Sequence, residues 1–241
     1  MTVGFNLNNL KNLNNLNNLK NHFVRHRINY LKLIMIIVSI LVVIIILGYV
    51  FKHKSHKRHN PIFFKRPLSG RKKYVLSESK VFPMGKKGER YNLTYHLFLY
   101  IKDWNYLYGI TKEIFQKGDS DSMAPGLYLD PVVNNIIVKV KTQNSGIQTF
   151  KVENIDINRW FHFAIVIHDL QVTLYHNGKV ISNNLIPSLL HINNDPLTFN
   201  ENGGFSGLIY NLGVVNKALG NKEIYALSKK KPPTNSKYFK I

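Results

Sequence analysis

Between residues 160 and 167 almost every position is apolar. Both alternating sets, Trp160/His162/Ala164/Val166 and Phe161/Phe163/Ile165/Ile167, are dominated by hydrophobic side chains. A strand points successive side chains to opposite faces, so this segment is expected to be covered on both faces, in the middle of a two-layer structure. After the polar break His168-Asp169, the next run sets Leu170, Val172 and Leu174 against Gln171, Thr173 and Tyr175, the pattern of a strand with one wet face. Asn177-Gly178 follows. Both residues tolerate positive φ, and the pair predicts a type I′ hairpin leading into residues 179–182.

The same alternation marks residues 91–101, where Tyr91, Leu93, Tyr95, Leu97, Leu99 and Ile101 oppose Asn92, Thr94 and His96. Further strands are predicted at 112–117, 126–129, 136–141, 147–152, 197–199 and 205–215, with an edge strand at 74–82 and one short helix at 221–227. Short strands about ten residues apart, separated by Gly, Asn and Asp turns, predict an all-β protein. Its expected fold is an antiparallel two-sheet sandwich or jelly roll.

Two stretches follow neither pattern. Residues 33–51 carry no charge, and at about 1.5 Å per residue they reach about 28 Å, the thickness of a bilayer core. No small-residue cleavage pattern follows, so one uncleaved transmembrane helix is predicted. Residues 5–20 place Leu at every third position among asparagines, a period that drifts round a helix. This stretch reads as a low-complexity disordered tail, against the alternative of a short partner-binding helix. The expected organisation is a tail at 1–32, the membrane helix at 33–51, a basic linker at 52–73, the sandwich at 74–227 and a basic tail at 228–241.

Charge changes the picture only when it is divided along the chain. The formal net charge is +20. Residues 1–32 hold five Lys/Arg and no acid, 52–90 hold thirteen against two, and 228–241 hold five Lys. Residues 91–227 hold ten basic against eleven acidic side chains. The globular part is thus close to neutral and lacks the basic face that nucleic-acid binding needs. Six Lys/Arg flank the apolar stretch on its C-terminal side against four on the N-terminal side, which favours a cytosolic C-terminal domain. The sequon Asn92-Leu93-Thr94 would argue for the opposite side, but it lies inside a predicted strand. Cysteine is absent, which removes disulfides and thiolate metal sites. His53, His56 and His59 sit among Lys and Arg that would repel a cation, so they read as a basic juxtamembrane segment facing lipid headgroups.

Three stretches share one resemblance. Arg159-Trp160-Phe161-His162-Phe163-Ala164, then 172–179 (VTLYHNGK), then 203–209 (GGFSGLI) with Ala218-Leu219 and Glu223-Ile224 resemble the laminin G-like, or concanavalin A-like lectin/glucanase, domains in order and spacing. Residues 100–105 (YIKDWN), with Ile114-Phe115 and Pro125-Gly126, are similar to a subgroup found in large DNA viruses. The resemblance covers about residues 74–227 and implies a two-sheet jelly roll of about a dozen strands. In such a scaffold Trp160 is expected as a core anchor and His162 as a side chain hydrogen-bonded within the domain. Gly204 and Gly207 are expected where a strand makes a close approach.

Catalysis is not expected. The glucanases of this superfamily use a Glu-x-Asp-x-(x)-Glu strand, and none of Glu78, Glu89, Glu113, Glu153, Glu201 and Glu223 begins one. Family members often hold calcium through carboxylates and main-chain carbonyls at a loop rim. Asp119 and Asp121 are the candidate metal ligands here, against the alternative of a plain turn. Trp104, Asn105 and Tyr106 are the candidate glycan site, an aromatic beside polar partners; packing of Trp104 against the sandwich edge is the competing reading. The expected function is a single-pass membrane-anchored recognition module that binds a glycan or glycoprotein through jelly-roll loops. The alternative is a structural membrane or virion protein whose domain docks onto another protein.

Overall fold

The computed structural model describes Lys20, Arg27 and residues 30–52, 62–77 and 92–234. The low-complexity tail apart from Lys20, the histidines at 53, 56 and 59, most of the 77–91 connection and the last seven residues lie outside these. Helix α1 (Tyr30–Lys52) is long and apolar enough to cross a membrane, and its apolar surface is not buried against protein. Its 23 residues rise about 34 Å.

The rest is a sandwich of two antiparallel sheets. The first contains β1 (Ile62–Phe63), β2 (Leu68–Ser69), β4 (Asn92–Asp103), β9 (Trp160–His168), β10 (Gln171–His176), β11 (Lys179–Leu185) and β13 (Ser206–Val215). Its order is β1-β13-β4-β9-β10-β11, with β2 also on β13. The second contains β3 (Tyr74–Leu76), β5 (Lys112–Lys117), β6 (Gly126–Leu129), β7 (Ile136–Thr142), β8 (Gly146–Val152) and β12 (Leu197–Phe199), ordered β3-β12-β5-β6-β7-β8. Helix α2 (Asn221–Ser228) follows. This is the two-sheet jelly roll that the patterning predicts.

The central prediction holds on both faces of β9. Phe161, Phe163, Ile165 and Ile167 enter the inter-sheet core, while Ala164 and Val166 lie on the outer face beneath Ile224 of α2. Tyr175 departs from its wet-face pattern for the same reason: α2 covers it, and its hydroxyl donates to Asn221 Oδ1 at 2.8 Å. The Asn177-Gly178 turn has φ of 50° and 81°, as a type I′ hairpin requires. Gly207 makes the expected close approach, since a Cβ there would lie 2.1 Å from the Tyr100 carbonyl oxygen.

Three expectations are corrected. Trp160 is half-buried on the outer face, against the rings of Tyr100 and Tyr210, and not in the inner core. His162 is wholly buried without a hydrogen-bond partner for its ring. The stretch read as linker contains β1 and β2, which pair with β13 at Leu212–Gly213 and Leu208–Ile209.

Candidate functional site

Strand β5 runs from Lys112 at one end of the sandwich to Lys117 at the other, and the two ends differ in chemistry. At the Lys112 end β4 stops at Asp103, whose Oδ1 accepts the Asn105 N–H at 2.9 Å. The loop then turns back and is tied to the β6–β7 loop by Gly109 N–H to Pro131 O at 2.9 Å. Trp104 packs against the core, and the Lys112 ammonium sits 5.5 Å from its ring centroid. Both Trp104 Nε1 and Lys112 Nζ are buried without an acceptor. Burial pushes the Lys112 pKa down, opposed by Asp130 and then Asp103.

Tyr106 turns elsewhere. Its hydroxyl donates to Gly203 O at 3.1 Å, and the Arg71 guanidinium lies 4.4 Å above its ring while donating to Ser206 Oγ at 3.0 Å. Asn105 points to solvent. Trp104, Asn105 and Tyr106 therefore do not form one exposed cluster: the first two-ring system belongs to the core edge and the phenol to the 200–205 turn. The groups that reach outward here are Tyr108, Ile110, Val132 and Val133, each about half exposed or more. They form apolar loop tips of the kind that marks interaction surfaces when clustered.

At the same end a cleft of about 330 Å³ opens between β8 and β11. Lys151, Glu153, Asn154, His176 and Ser182 line it with donors and acceptors, and Ile155 and Ile181 line it with apolar surface. The 153–159 loop that floors it is fixed by Ile155 N–H to Asn134 O (2.9 Å) and Asn158 N–H to Ile101 O (2.7 Å). Behind it the Asp156 carboxylate accepts from Arg159 and from Asn177 Nδ2, and lies 3.4 Å from His176 Nε2. Burial lowers the His176 pKa, Asp156 partly restores it and Arg159 lowers it further, so the ring is neutral at pH 7. Sequence reasoning missed this cleft because its walls come from residues far apart in the chain. The one local signal was the chain of polar residues Glu153, Asn154, Asp156 and Asn158 between two apolar strands.

The fold also brings together two glutamates that no motif links. Glu113 on β5 accepts the Glu201 N–H and the Thr198 hydroxyl, both at 3.4 Å, and burial raises its pKa. Glu201 is ion-paired with Lys73. Neither carboxylate lines the cleft.

At the Lys117 end the candidate metal ligands Asp119 and Asp121 lie on an exposed turn next to the 193–195 loop. Asp119 Oδ1 already accepts the backbone N–H groups of Asp121 (2.9 Å) and Ser122 (2.7 Å), closing a turn. Those bonds, with the Ser122 side chain first, hold the Asp119 carboxyl below its usual range. The nearby carbonyls are taken by the buried Lys117 ammonium, which donates to Asn193 O (3.3 Å), Asn193 Oδ1 (3.0 Å) and Asp195 O. A divalent ion beside that ammonium would be repelled. Among the described residues no group of three or more His, Asp or Glu side chains is placed to hold a metal.

A family model described as the concanavalin A-like lectin/glucanases superfamily matches residues 70–225. The binding domain of botulinum neurotoxin serotype D is a structural neighbour, with a TM-score of 0.55 and 15% identity over 70% of this chain and 44% of that one. The botulinum neurotoxin DC binding domain, solved with rat synaptotagmin II, gives 0.48 and 19% over 57% and 35%. A structure bearing on ganglioside-dependent cell entry of botulinum neurotoxin type C gives 0.48 and 18% over 57% and 35%. This chain thus spans between a third and a half of the length of these proteins, and at such identity the likeness shows the fold alone. A comparison with curated proteins gave no match.

Proposed function

The chain belongs to the concanavalin A-like lectin/glucanase superfamily, and from that premise we propose that it is a non-catalytic recognition module, carried on a membrane helix, that binds a glycan or glycoprotein at the Lys112 end of its sandwich. The observation that supports this reading is the cleft between β8 and β11. Its mixture of donors, acceptors and two isoleucines matches the alternating hydroxyl and C–H surface of a sugar, and its size suits one or two rings. Trp104 and Tyr106 tie the neighbouring 104–110 loop to the core and to the 200–205 turn, while Asn105 faces solvent. The Glu113–Glu201 pair does not support glycoside hydrolysis: one carboxylate is neutralised by Lys73, and neither faces the cleft.

The apolar tips Tyr108, Ile110, Val132 and Val133 favour a second reading, in which this end docks onto a membrane or virion protein. Glycan-array binding by the full chain in lipid nanodiscs separates the two. Binding that Ile181→Glu abolishes, with the melting curve unchanged, supports the first. No binding to any glycan, together with cross-linking of the tips to one recurrent protein, sinks the first and supports the second. A fragment begun at residue 74 is unsuitable because it removes β1 and β2. Protease protection in sealed vesicles would settle which side of the membrane the domain faces.

A further inference from the structure

We propose that α2 and the segment 229–234 form an acid-released latch over a histidine pair on the outer face of the first sheet. His96 of β4 and His162 of β9 stand side by side there, with ring centroids 5.6 Å apart and both side chains buried. His96 Nδ1 and both ring nitrogens of His162 have no hydrogen-bond partner. The ring of His96 rests directly on β13, where a Cβ at Gly213 would lie 2.0 Å from its Nε2, so glycine makes room for it. Phe98 closes another side, 5.0 Å from His162.

The charged or titratable groups facing the pair are Lys230 of the C-terminal segment and, for His162, His176 of β10. No carboxylate faces it among the described residues. Glu223 of α2 is engaged by Lys217 and the Gly220 N–H, and Asp156 by Arg159, Asn177 and His176. A proton on either ring would therefore be a buried charge without an acceptor, beside a lysine. Helix α2 packs on Ala164, the register partner of His96, through Ile224, its only buried residue, with Leu219 and Leu227 partly buried beside it and one side-chain bond, Tyr175 to Asn221, tying it to β10.

Burial, then Lys230, lowers His96 to about 4; burial, then His96, Lys230 and His176, lowers His162 to about 3. A histidine in water titrates near 6.5. Because the closed-state values lie below the free one, the closed form is fully favoured above about pH 6.5 and loses its advantage as pH falls toward 4. Each ring makes opening about tenfold easier per pH unit in that window, and the two together about a hundredfold. At pH 5 the latch should open several hundredfold more often than at pH 7, exposing Ala164, Val166 and Tyr175 as a new apolar face.

The protein has no cysteine, so one introduced beneath α2 reports its cover. The test uses the full chain in nanodiscs with Ala164→Cys, or Val166→Cys should that variant fail to fold, labelled by dithiodipyridine, which reacts in acid. Labelling is normalised to exposed Asn216→Cys. The rate should rise several hundredfold from pH 7 to pH 5 while β-sheet circular dichroism persists. His96→Phe with His162→Phe should flatten the rise; if the double variant does not fold, His96→Phe alone should cut the slope from about a hundredfold to about tenfold per pH unit. A rate independent of pH overturns the proposal, as does an undiminished rise without the histidines or loss of the whole sandwich over the same range.

Discussion

Lys112 and Lys117 open and close the same six-residue strand, both buried, yet their surroundings are opposite. Lys117 is satisfied by three carbonyl-type oxygens from the 193–195 loop, and Asn193 answers by donating to the Lys117 and Ser122 carbonyls. Lys112 has the face of Trp104 and two carboxylates at a distance, and no acceptor. A buried ammonium with its bonds made is a strut; one without them is a cost that the rest of the fold carries. One end of the sandwich is thus closed on itself, and the other keeps unused polar capacity beside a cleft and exposed apolar tips.

The largest test of this contrast is Lys117→Met. It strips the ammonium from the Asn193 and Asp195 carbonyls and leaves Asn193 Oδ1 only the Asp195 N–H, so denaturant unfolding should show a loss of about 3 kcal/mol. Trp104→Ala should cost roughly 2 kcal/mol, because its indole packs on the core while half-buried. A fall in ligand binding in that variant would therefore report stability as much as contact. Lys112→Met removes a desolvated charge that has no bond to lose, and unfolding should show no loss beyond about 1 kcal/mol, or a small gain. A loss equal to that of Lys117→Met would erase the distinction between the two ends. Smallest of all is the effect of calcium: with the ammonium in place, millimolar calcium or its chelation should produce no saturable shift of the melting temperature. A saturable rise would show that the Asp119–Asp121 loop holds the ion after all.

Much of the scaffold was legible because it rests on local periodicity. The bounds of β5, β6 and β12 agree with the patterning, and the Asn177-Gly178 hairpin follows from the φ those residues tolerate. Strands β1 and β2 were not legible: two residues each, beside Pro61 and Pro67, they show no period, and only pairing with β13 makes them strands. The site was harder still. Trp104 looks like a sugar-stacking aromatic in sequence, but whether its ring faces solvent depends on Lys112 and the core, and no local pattern encodes that. The cleft joins the ends of β8 and β10 to β11 across both sheets, and the buried histidines meet only because β4 and β9 pair, with Phe98 opposite His162.

The position of β4 bears on how the chain matures. It pairs with β9 on one side and β13 on the other, so Tyr95 meets Ile165 and Val214. Both partners lie downstream, and the central ladder of the first sheet cannot be complete until residue 215 has been synthesised. Helix α1 ends at Lys52 and needs no later residue for its hydrogen bonds. During synthesis β4 therefore waits with both edges open, the state in which strands pair with the wrong chain. Closure of the first sheet around β4 is thus a late event, and the interval before it is when the nascent protein most needs protection from its neighbours.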